Sequence, residues 1–332
     1  MRCLSSAMMI LVLPAAALAG DTTVKAPDVN NAIDRGLKFL VKDARAWKEK
    51  HNCVSCHHAS LPIWAMREAK DRGHSVDEPF LAEFTKWVAE SGEGKTVVKR
   101  PDGIPKAFNT KAVYFAHAIG AIPQPDAGTQ QGLGRFLKTV QEDQLENGAW
   151  AAWPETRLPI FAQTDDVSTI LATLALTPQG KMDDAAAIAA RDKGVQWLVA
   201  HPPGDDPQGT ALRVVLWKRL GRPADECRLL VRKIIARQNI DGGFSQAPEM
   251  SSDAWATGQA LYALAHAGVS PGDPTIQRAH VFLMKAQRED GAWPMTSRPI
   301  KPGGKGSTSL IPITGGGSAW GVLGLVRSLP PR

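Results

Sequence analysis

The chain has 332 residues, 43% of them hydrophobic and 22% charged, which is the composition of a globular protein with a hydrophobic core. Its formal net charge at pH 7 is +6, and the lysines and arginines are spread along the sequence rather than clustered. That distribution predicts a mildly basic, solvated surface. It argues against a nucleic-acid-binding protein, which would carry a dense basic stripe.

The N-terminus has the three parts of a secretory signal peptide. Arg2 supplies the early positive charge, an apolar run extends from Ala7 to Leu13, and Ala17-Leu18-Ala19 provides a small-residue cleavage site. We therefore expect residues 1–19 to be removed and the mature protein to be periplasmic or secreted. No later stretch reaches the roughly 18 uninterrupted apolar residues that a transmembrane helix requires, so no transmembrane segment is predicted.

A C-x-x-C-H sequence, Cys53-Val54-Ser55-Cys56-His57, follows a first predicted helix of about Asp28 to Ala44. This spacing is typical of c-type haem attachment, because two thiols three residues apart can each add to a vinyl group of one porphyrin while the adjacent imidazole reaches the iron. The sequence therefore predicts one covalent haem c on Cys53 and Cys56, with His57 as the proximal iron ligand. Two alternatives stay open: a local disulfide, or a zinc site completed by His58 or His51.

The remaining cysteines do not extend this motif. Cys3 leaves with the signal peptide, and Cys227 is then a single thiol that we expect to serve as a small apolar residue on a helix. So few cysteines cannot form a disulfide scaffold in a chain of this length.

A repeat with the pattern Q-x3-G-x-W/F runs through the chain. It occurs at residues 144–150, 238–244 and 287–293, with the glutamines 94 and 49 residues apart, and a degenerate copy lies around Gly194-Val195-Gln196-Trp197. A period in this range indicates an array of supersecondary units. Each unit is predicted to consist of an amphipathic helix, a Gly- or Pro-rich turn and a second, more apolar helix. Six pairs fit, and their second helices are predicted to begin near Ser60, Asn109, Asp165, Gln208, Asp253 and Gly317.

These repeats, each followed by an apolar helix, resemble those of the squalene-hopene cyclase and protein prenyltransferase superfamily over residues 28–329. The resemblance implies an all-α fold, the (α/α)6 toroid, in which six helix pairs form two concentric rings within a single domain. It also implies that the repeat residues are structural and tie one helix pair to the next, namely Gln144, Trp150, Gln238, Gln287 and Trp293. A shared fold does not by itself carry an activity.

The catalytic part of the resemblance is partial. Squalene-hopene cyclases protonate their substrate with a D-x-D-D motif, and the corresponding Gln163-Thr164-Asp165-Asp166 lacks the first acid. Asp165 and Asp166 are therefore candidates either for a remnant acid site or for helix capping, as Asp253 is in a later repeat. The prenyltransferase zinc ligands include a late cysteine, and no cysteine follows Cys227.

The toroid also predicts where the haem lies. Because its inner helices all run the same way, the turns leading into them meet at one end, which we call the mouth. The C-x-x-C-H turn at 53–57, Asp165, Asp166 and Asp253 are expected there, together with the long loops 151–164 and 294–316. Met250, Met295 and His201 are the candidates for a sixth iron ligand, with an open position as the alternative. Arg157 and Arg298 are candidates to pair with haem propionates.

Two classes of function follow from these residues. The first is an exported haem protein that acts in electron transfer or in haem-dependent redox chemistry on a ligand in the toroid cavity. Its basic charge would match an acidic redox partner or an anionic membrane surface. The second is a terpenoid-cyclase-like enzyme or a binding protein for an apolar small molecule, in which the Cys-Cys-His site is structural or holds zinc.

Overall fold

The computed structural model describes residues 25–51, 53–92, 108–120, 122–153, 158–177, 184–295, 297–298 and 311–332. The predicted signal peptide, Arg157 and parts of both long loops lie outside these residues. Within the described ranges the regular structure is helical, apart from isolated bridge residues such as the pair Phe244 and Asp253. None of the helices in those ranges is both long and apolar enough to cross a membrane.

Twelve α-helices occupy the described part of the chain. In chain order they are α1 Ala26–Lys50, α2 Leu61–Asp71, α3 Glu78–Glu90, α4 Thr110–Gly120, α5 Ala127–Glu142, α6 Asp165–Ala175, α7 Ala185–Ala200, α8 Pro207–Arg219, α9 Ala224–Ala236, α10 Ala254–Ala267, α11 Pro274–Ala286 and α12 Ile311–Ser328. A π-helical turn, Cys56–Ser60, leads into α2.

The even-numbered helices form a closed inner ring. Each contacts the next, from α2 through α4, α6, α8 and α10 to α12, and α12 returns to α2. Their sequences are apolar on nearly every side, so that every residue of 167–175 in α6 and of 254–264 in α10 is buried. The odd-numbered helices are mostly amphipathic and pack outside this ring. The predicted (α/α)6 toroid of two concentric rings is thus confirmed.

The repeat glutamines join each helix pair to the next, as predicted. In each case the side-chain Nε2 donates to a carbonyl within its own turn and to a carbonyl of the following outer helix. Gln144 bonds Ala190 O at 2.8 Å, and Gln238 bonds Thr275 O at 2.8 Å. Gln287 bonds Ala32 O at 2.9 Å, so the last repeat is tied to the first helix and the ring is closed.

The repeat glycines and tryptophans complete this junction. Gly291 has φ of +89°, and a Cβ atom there would lie 2.3 Å from Arg35 O, so both the conformation and the close approach require glycine. Trp150 and Trp293 are fully buried, and their Nε1 atoms each donate at 2.7 Å to Val140 O and Leu283 O respectively.

The helix boundaries differ from prediction in two places. Helix α1 continues to Lys50, and α12 begins at Ile311 instead of near Gly317. The glycines 315–317 suggested a loop, but they lie inside α12 where it packs too closely for side chains. A Cβ atom on Gly315 would lie 2.7 Å from Asp43 Oδ2, and one on Gly317 would lie 2.1 Å from Met295 Sδ. Close packing has overridden the low helix propensity of glycine.

Candidate functional site

The C-x-x-C-H turn lies at the mouth, between α1 and α2, and local hydrogen bonds fix its shape. Ser55 Oγ accepts from the backbone N–H of His58 at 3.0 Å, and Ser60 Oγ donates to Cys56 O at 2.7 Å. Trp47 on α1 donates from Nε1 to Cys53 O at 3.0 Å. The turn is therefore held both by its own side chains and by the preceding helix.

The two thiols of the motif are free and differ in exposure. Cys53 is exposed and Cys56 is buried, and neither forms a disulfide. Burial is the main reason that the pKa of Cys56 is raised to about 12. Lys111, in the first turn of α4, contacts Cys53 Sγ through Nζ at 3.8 Å. Cys227 is likewise free and is buried on α9, as predicted for a small apolar residue.

His57 follows Cys56 directly, and its ring lies in an apolar setting. Its Nε2 is buried and has no hydrogen-bond partner among the described residues. The ring meets the Trp47 indole edge-on at 5.5 Å between centroids, and Cys56 Sγ lies 3.8 Å from Nδ1. Burial, followed by the nearby His58 and Lys111, lowers the pKa of His57 to about 3, so the imidazole is neutral.

His58, by contrast, is fully engaged in packing the turn. Its Nε2 lies 3.3 Å from Asp43 Oδ2, its Nδ1 lies 3.4 Å from Ser55 Oγ, and its ring stacks on Trp47 at 4.1 Å. His51 packs against the same indole at 4.1 Å. No three His, Cys, Asp or Glu side chains of the described ranges are grouped so as to hold a metal ion. Within those ranges, neither His51 nor His58 completes a ready-made zinc site with the cysteines.

Two residues that shape this turn, Asp43 and Trp47, were not predicted from the sequence. They lie four residues apart on one face of α1, with His51 following at the same spacing, and they hold His58 and the Cys53 carbonyl. That spacing, directly before the motif, is the signal that could have identified them. Lys111 gave no such signal, because it reaches Cys53 only through the fold.

The three candidate sixth ligands lie in different surroundings. Met295 is buried, and its sulfur packs against Gly317, while the neighbouring Gly315 and Gly316 pack against the backbone and Cβ of His57. Met250 lines a surface cleft that includes none of residues 53–57. His201 ends α7, stacks on Trp197 at 4.1 Å and engages Trp197 O through Nδ1 at 2.8 Å. Of the three, Met295 shares a packing neighbourhood with His57.

Asp165 and Asp166 are placed in the first turn of α6, and neither is its N-cap, so the capping interpretation is wrong for them. Thr164 caps the helix by accepting from Val167 N at 3.3 Å. Asp165 is exposed and accepts from Ala152 N at 2.8 Å, which ties down the 151–153 segment. Asp166 pairs with the buried guanidinium of Arg213 on α8. Burial raises the pKa of Asp166, although Arg213 opposes that rise.

We expect Asp166→Asn to lower the free energy of unfolding by about 2 kcal/mol, because it leaves the buried Arg213 charge without its counter-ion. The loss is limited because Arg213 still donates to Leu198 O and His201 O. Asp165→Asn is the matched control: it keeps an oxygen acceptor at an exposed site and should change stability by less than about 0.5 kcal/mol. Urea denaturation of both variants measures the difference. Equal stabilities would contradict the counter-ion role.

The other mouth residues are also bound into the structure. Asp253 caps α10 by accepting from Ala256 N at 2.9 Å, as predicted, and also accepts from Gln246 Nε2 at 2.6 Å. Burial raises the pKa of Asp253 to about 6. Arg298 is buried and donates from Nη2 to Phe161 O at 2.9 Å, which joins the two long mouth loops.

Aromatic side chains of the inner helices α2, α10 and α12 pack against one another. Trp64, Tyr262 and Trp320 meet edge-to-face with centroids 5.2 to 5.9 Å apart, and Tyr262 donates to Glu68 Oε2 at 3.2 Å. A small cavity lies between α8 and α10, with a volume of about 20 Å³, enough for roughly one water molecule. A polyene substrate would not fit into this cavity.

No protein-family model and no curated protein sequence matches the chain. Solved structures resemble it in fold. A family 88 glycosyl hydrolase from Bacteroides vulgatus has a TM-score of 0.60 at 13% identity, covering 92% of this chain and 100% of the hydrolase. A polysaccharide lyase has a TM-score of 0.59 at 13% identity, covering 92% and 97%.

The type II terpene cyclase MstE from Scytonema, bound to geranylgeranyl dihydroxybenzoate, has a TM-score of 0.55 at 13% identity, covering 91% of this chain and 98% of the cyclase. At such identities these similarities establish the shared toroid fold alone.

Proposed function

We propose that this protein is an exported c-type haem protein built on an (α/α)6 toroid. One haem is attached to Cys53 and Cys56 at the mouth, with His57 as its proximal ligand. When bound, such a group supplies one-electron redox chemistry, so the protein acts in electron transfer or in haem-dependent redox chemistry at the mouth. Its localisation is periplasmic or secreted, in keeping with the predicted signal peptide.

The observation that carries this proposal is the state of His57. A buried ring nitrogen without a hydrogen-bond partner is costly unless something else binds it. Here that nitrogen belongs to the residue next to two free thiols at the spacing of haem attachment. The adjacent His58 is held by Asp43, Ser55 and Trp47, so the two histidines have distinct roles.

The surroundings support the same assignment. Trp47 on α1, Lys111 on α4 and the glycines that begin α12 all contact the turn, so three helices fix the position of His57 relative to the cysteines. Met295, which packs at the same start of α12, is the residue that we propose as the sixth ligand if the iron has a second protein ligand.

A terpenoid-cyclase-like activity is less well supported. Asp166, one of the two remaining acids of the cyclase-like motif, is neutralised by Arg213, and Asp165 is exposed and binds a backbone N–H. The aromatic rings of Trp64, Tyr262 and Trp320 on the inner helices pack against each other. We therefore place the redox function first.

The proposal is tested by cysteine substitution in the full chain, produced in a host with cytochrome c maturation machinery. Wild-type protein should keep peroxidase-active haem on a denaturing gel, and Cys53→Ser/Cys56→Ser should lose it completely, because no thioether can form. Cys227→Ser is the matched control, since this thiol lies on an outer helix, and it should keep the haem. A stain that is absent from the wild type, or unchanged in the double variant, would contradict the proposal.

A further inference from the structure

The small cavity at the mouth, between the first turns of α8 and α10, has a mainly apolar lining with a few polar side chains, and the cysteines and His57 are not part of it. We call it the α8–α10 cavity. Gln208 lines it from α8, Trp255 and Gln259 line it from α10, and Arg298 lines it from the adjoining loop. All four side chains are at least nine-tenths buried.

Each of these four side chains has a buried polar atom that finds no hydrogen-bond partner in the described part of the chain. They are three N–H donors, Trp255 Nε1, Gln259 Nε2 and Arg298 Nε, and one acceptor, Gln208 Oε1. The orientation of the Gln208 amide is set independently, because its Nε2 donates to Pro159 O at 3.2 Å. Four such atoms around one small cavity are unusual, since buried polar groups are normally paired.

A single water molecule does not match this set. Water accepts two hydrogen bonds, so one of the three donors would remain unpaired. A carboxylate has about four acceptor sites on two oxygens and can take all three N–H groups. The remaining acceptor, Gln208 Oε1, is matched by a hydroxyl group beside the carboxylate.

The charge around the cavity also favours an anion. Among the described residues, its lining contains two arginines, Arg237 and Arg298, and no Asp or Glu, although Arg237 also pairs with Asp205 at 3.5 Å outside the cavity. The first-turn N–H groups of α8 and α10 are capped by Asp206 and Asp253, so the positive charge at the cavity comes from the two arginines. Asp253 lies behind Gln246, which donates to it, and does not line the cavity.

We propose that the α8–α10 cavity binds the carboxylate end of a small hydroxy acid. The carboxylate accepts from Trp255, Gln259 and Arg298, and the hydroxyl donates to Gln208. The cavity holds little more than the carboxylate, so the rest of the ligand extends toward the mouth surface. This site is built entirely from residues outside the Cys53–His57 turn, and it is independent of the haem.

The test uses the indole N–H resonance of Trp255 in the mature full-length protein, with glycolate as the probe. Glycolate should shift this resonance to saturation, acetate should bind more weakly, and chloride and acetamide at matched ionic strength should have no saturable effect. Trp255→Phe removes the resonance and one donor, and calorimetry should show glycolate binding weakened about tenfold. Gln259→Met, a second variant of similar volume, should weaken it by a comparable factor.

Two controls separate this site from general effects and from the haem. Trp197→Phe, on an outer helix, should leave glycolate binding unchanged. Cys53→Ser/Cys56→Ser should also bind glycolate with the wild-type affinity, so that the two proposals succeed or fail separately. The absence of any saturable response to glycolate, or equal responses to glycolate and chloride, would show that the cavity holds only water and would overturn the proposal.

Discussion

Trp293→Ala is expected to lower the free energy of unfolding by about 3–5 kcal/mol, which is the usual cost of removing a large buried aromatic side chain. The indole is fully buried and donates to Leu283 O. Its ring packs against two glycines. A Cβ atom on Gly36 of α1 would lie 2.8 Å from the ring, and a Cβ atom on Gly321 of α12 would lie 3.3 Å from it. The substitution thus opens a cavity at the seam where the last repeat meets the first helix.

Denaturant unfolding followed by circular dichroism measures this effect. Trp87→Ala is the matched control, because Trp87 is partly exposed on outer helix α3 and its loss should be less costly. If the proposed haem is attached, its visible spectrum in folded Trp293→Ala should resemble that of the wild type, since the residue is structural. A variant that keeps its stability but loses this spectrum would contradict that assignment.

Gly258→Ala is expected to be nearly as damaging, although it adds a single methyl group. A Cβ atom at Gly258 would lie 2.1 Å from Trp320 O, and one at Gly324 would lie 2.6 Å from Gly258 O, so the backbones of α10 and α12 are in direct contact. Neither backbone can yield without moving an inner helix. We expect a loss of about 2–3 kcal/mol, at the upper end of the usual cost of overpacking.

Gly134→Ala provides the opposite result within the same protein. Gly134 lies within outer helix α5, is exposed, and has no atom within 4 Å of the position of a Cβ. Alanine there should stabilise the protein by about 0.5–1 kcal/mol, because it reduces the entropy lost on folding. Gly258→Ala and Gly134→Ala should therefore shift the unfolding midpoint in opposite directions. A shift in the same direction would contradict the interpretation that the close contact of α10 and α12 requires glycine at position 258.

The fold could be predicted from the sequence because the repeat carries its own junction chemistry. A glutamine, a glycine and an aromatic residue recur at fixed offsets, and the glutamine of each copy makes the same two hydrogen bonds. Helix starts near Asn109, Asp165, Gln208 and Asp253 were placed within a residue or two. The start of α12 was misplaced because glycines 315–317 have low helix propensity, and only the close approach of Asp43 and Met295 explains their presence in a helix.

The site was predictable where its residues form a local pattern or hold a fixed place in the repeat. Cys53, Cys56 and His57 form such a pattern and Met295 was one of three candidates from its place in the repeat, but Lys111 reaches the same region on α4, which is distant along the chain. Asp166 shows the same limit: its sequence position suggested a cap, while Arg213, 47 residues later, decides its role. Contacts that depend on the closure of the ring cannot be inferred from local spacing.

The central claim is tested most directly by the intact mass of the mature wild-type protein, measured under denaturing conditions together with its visible absorption. The claim predicts the mass of the polypeptide plus one haem, with haem absorption co-eluting with the unfolded chain. The mass of the bare polypeptide would contradict the claim. Stoichiometric zinc in the native protein would then indicate a zinc site, and a mass lower by two hydrogens would indicate a disulfide.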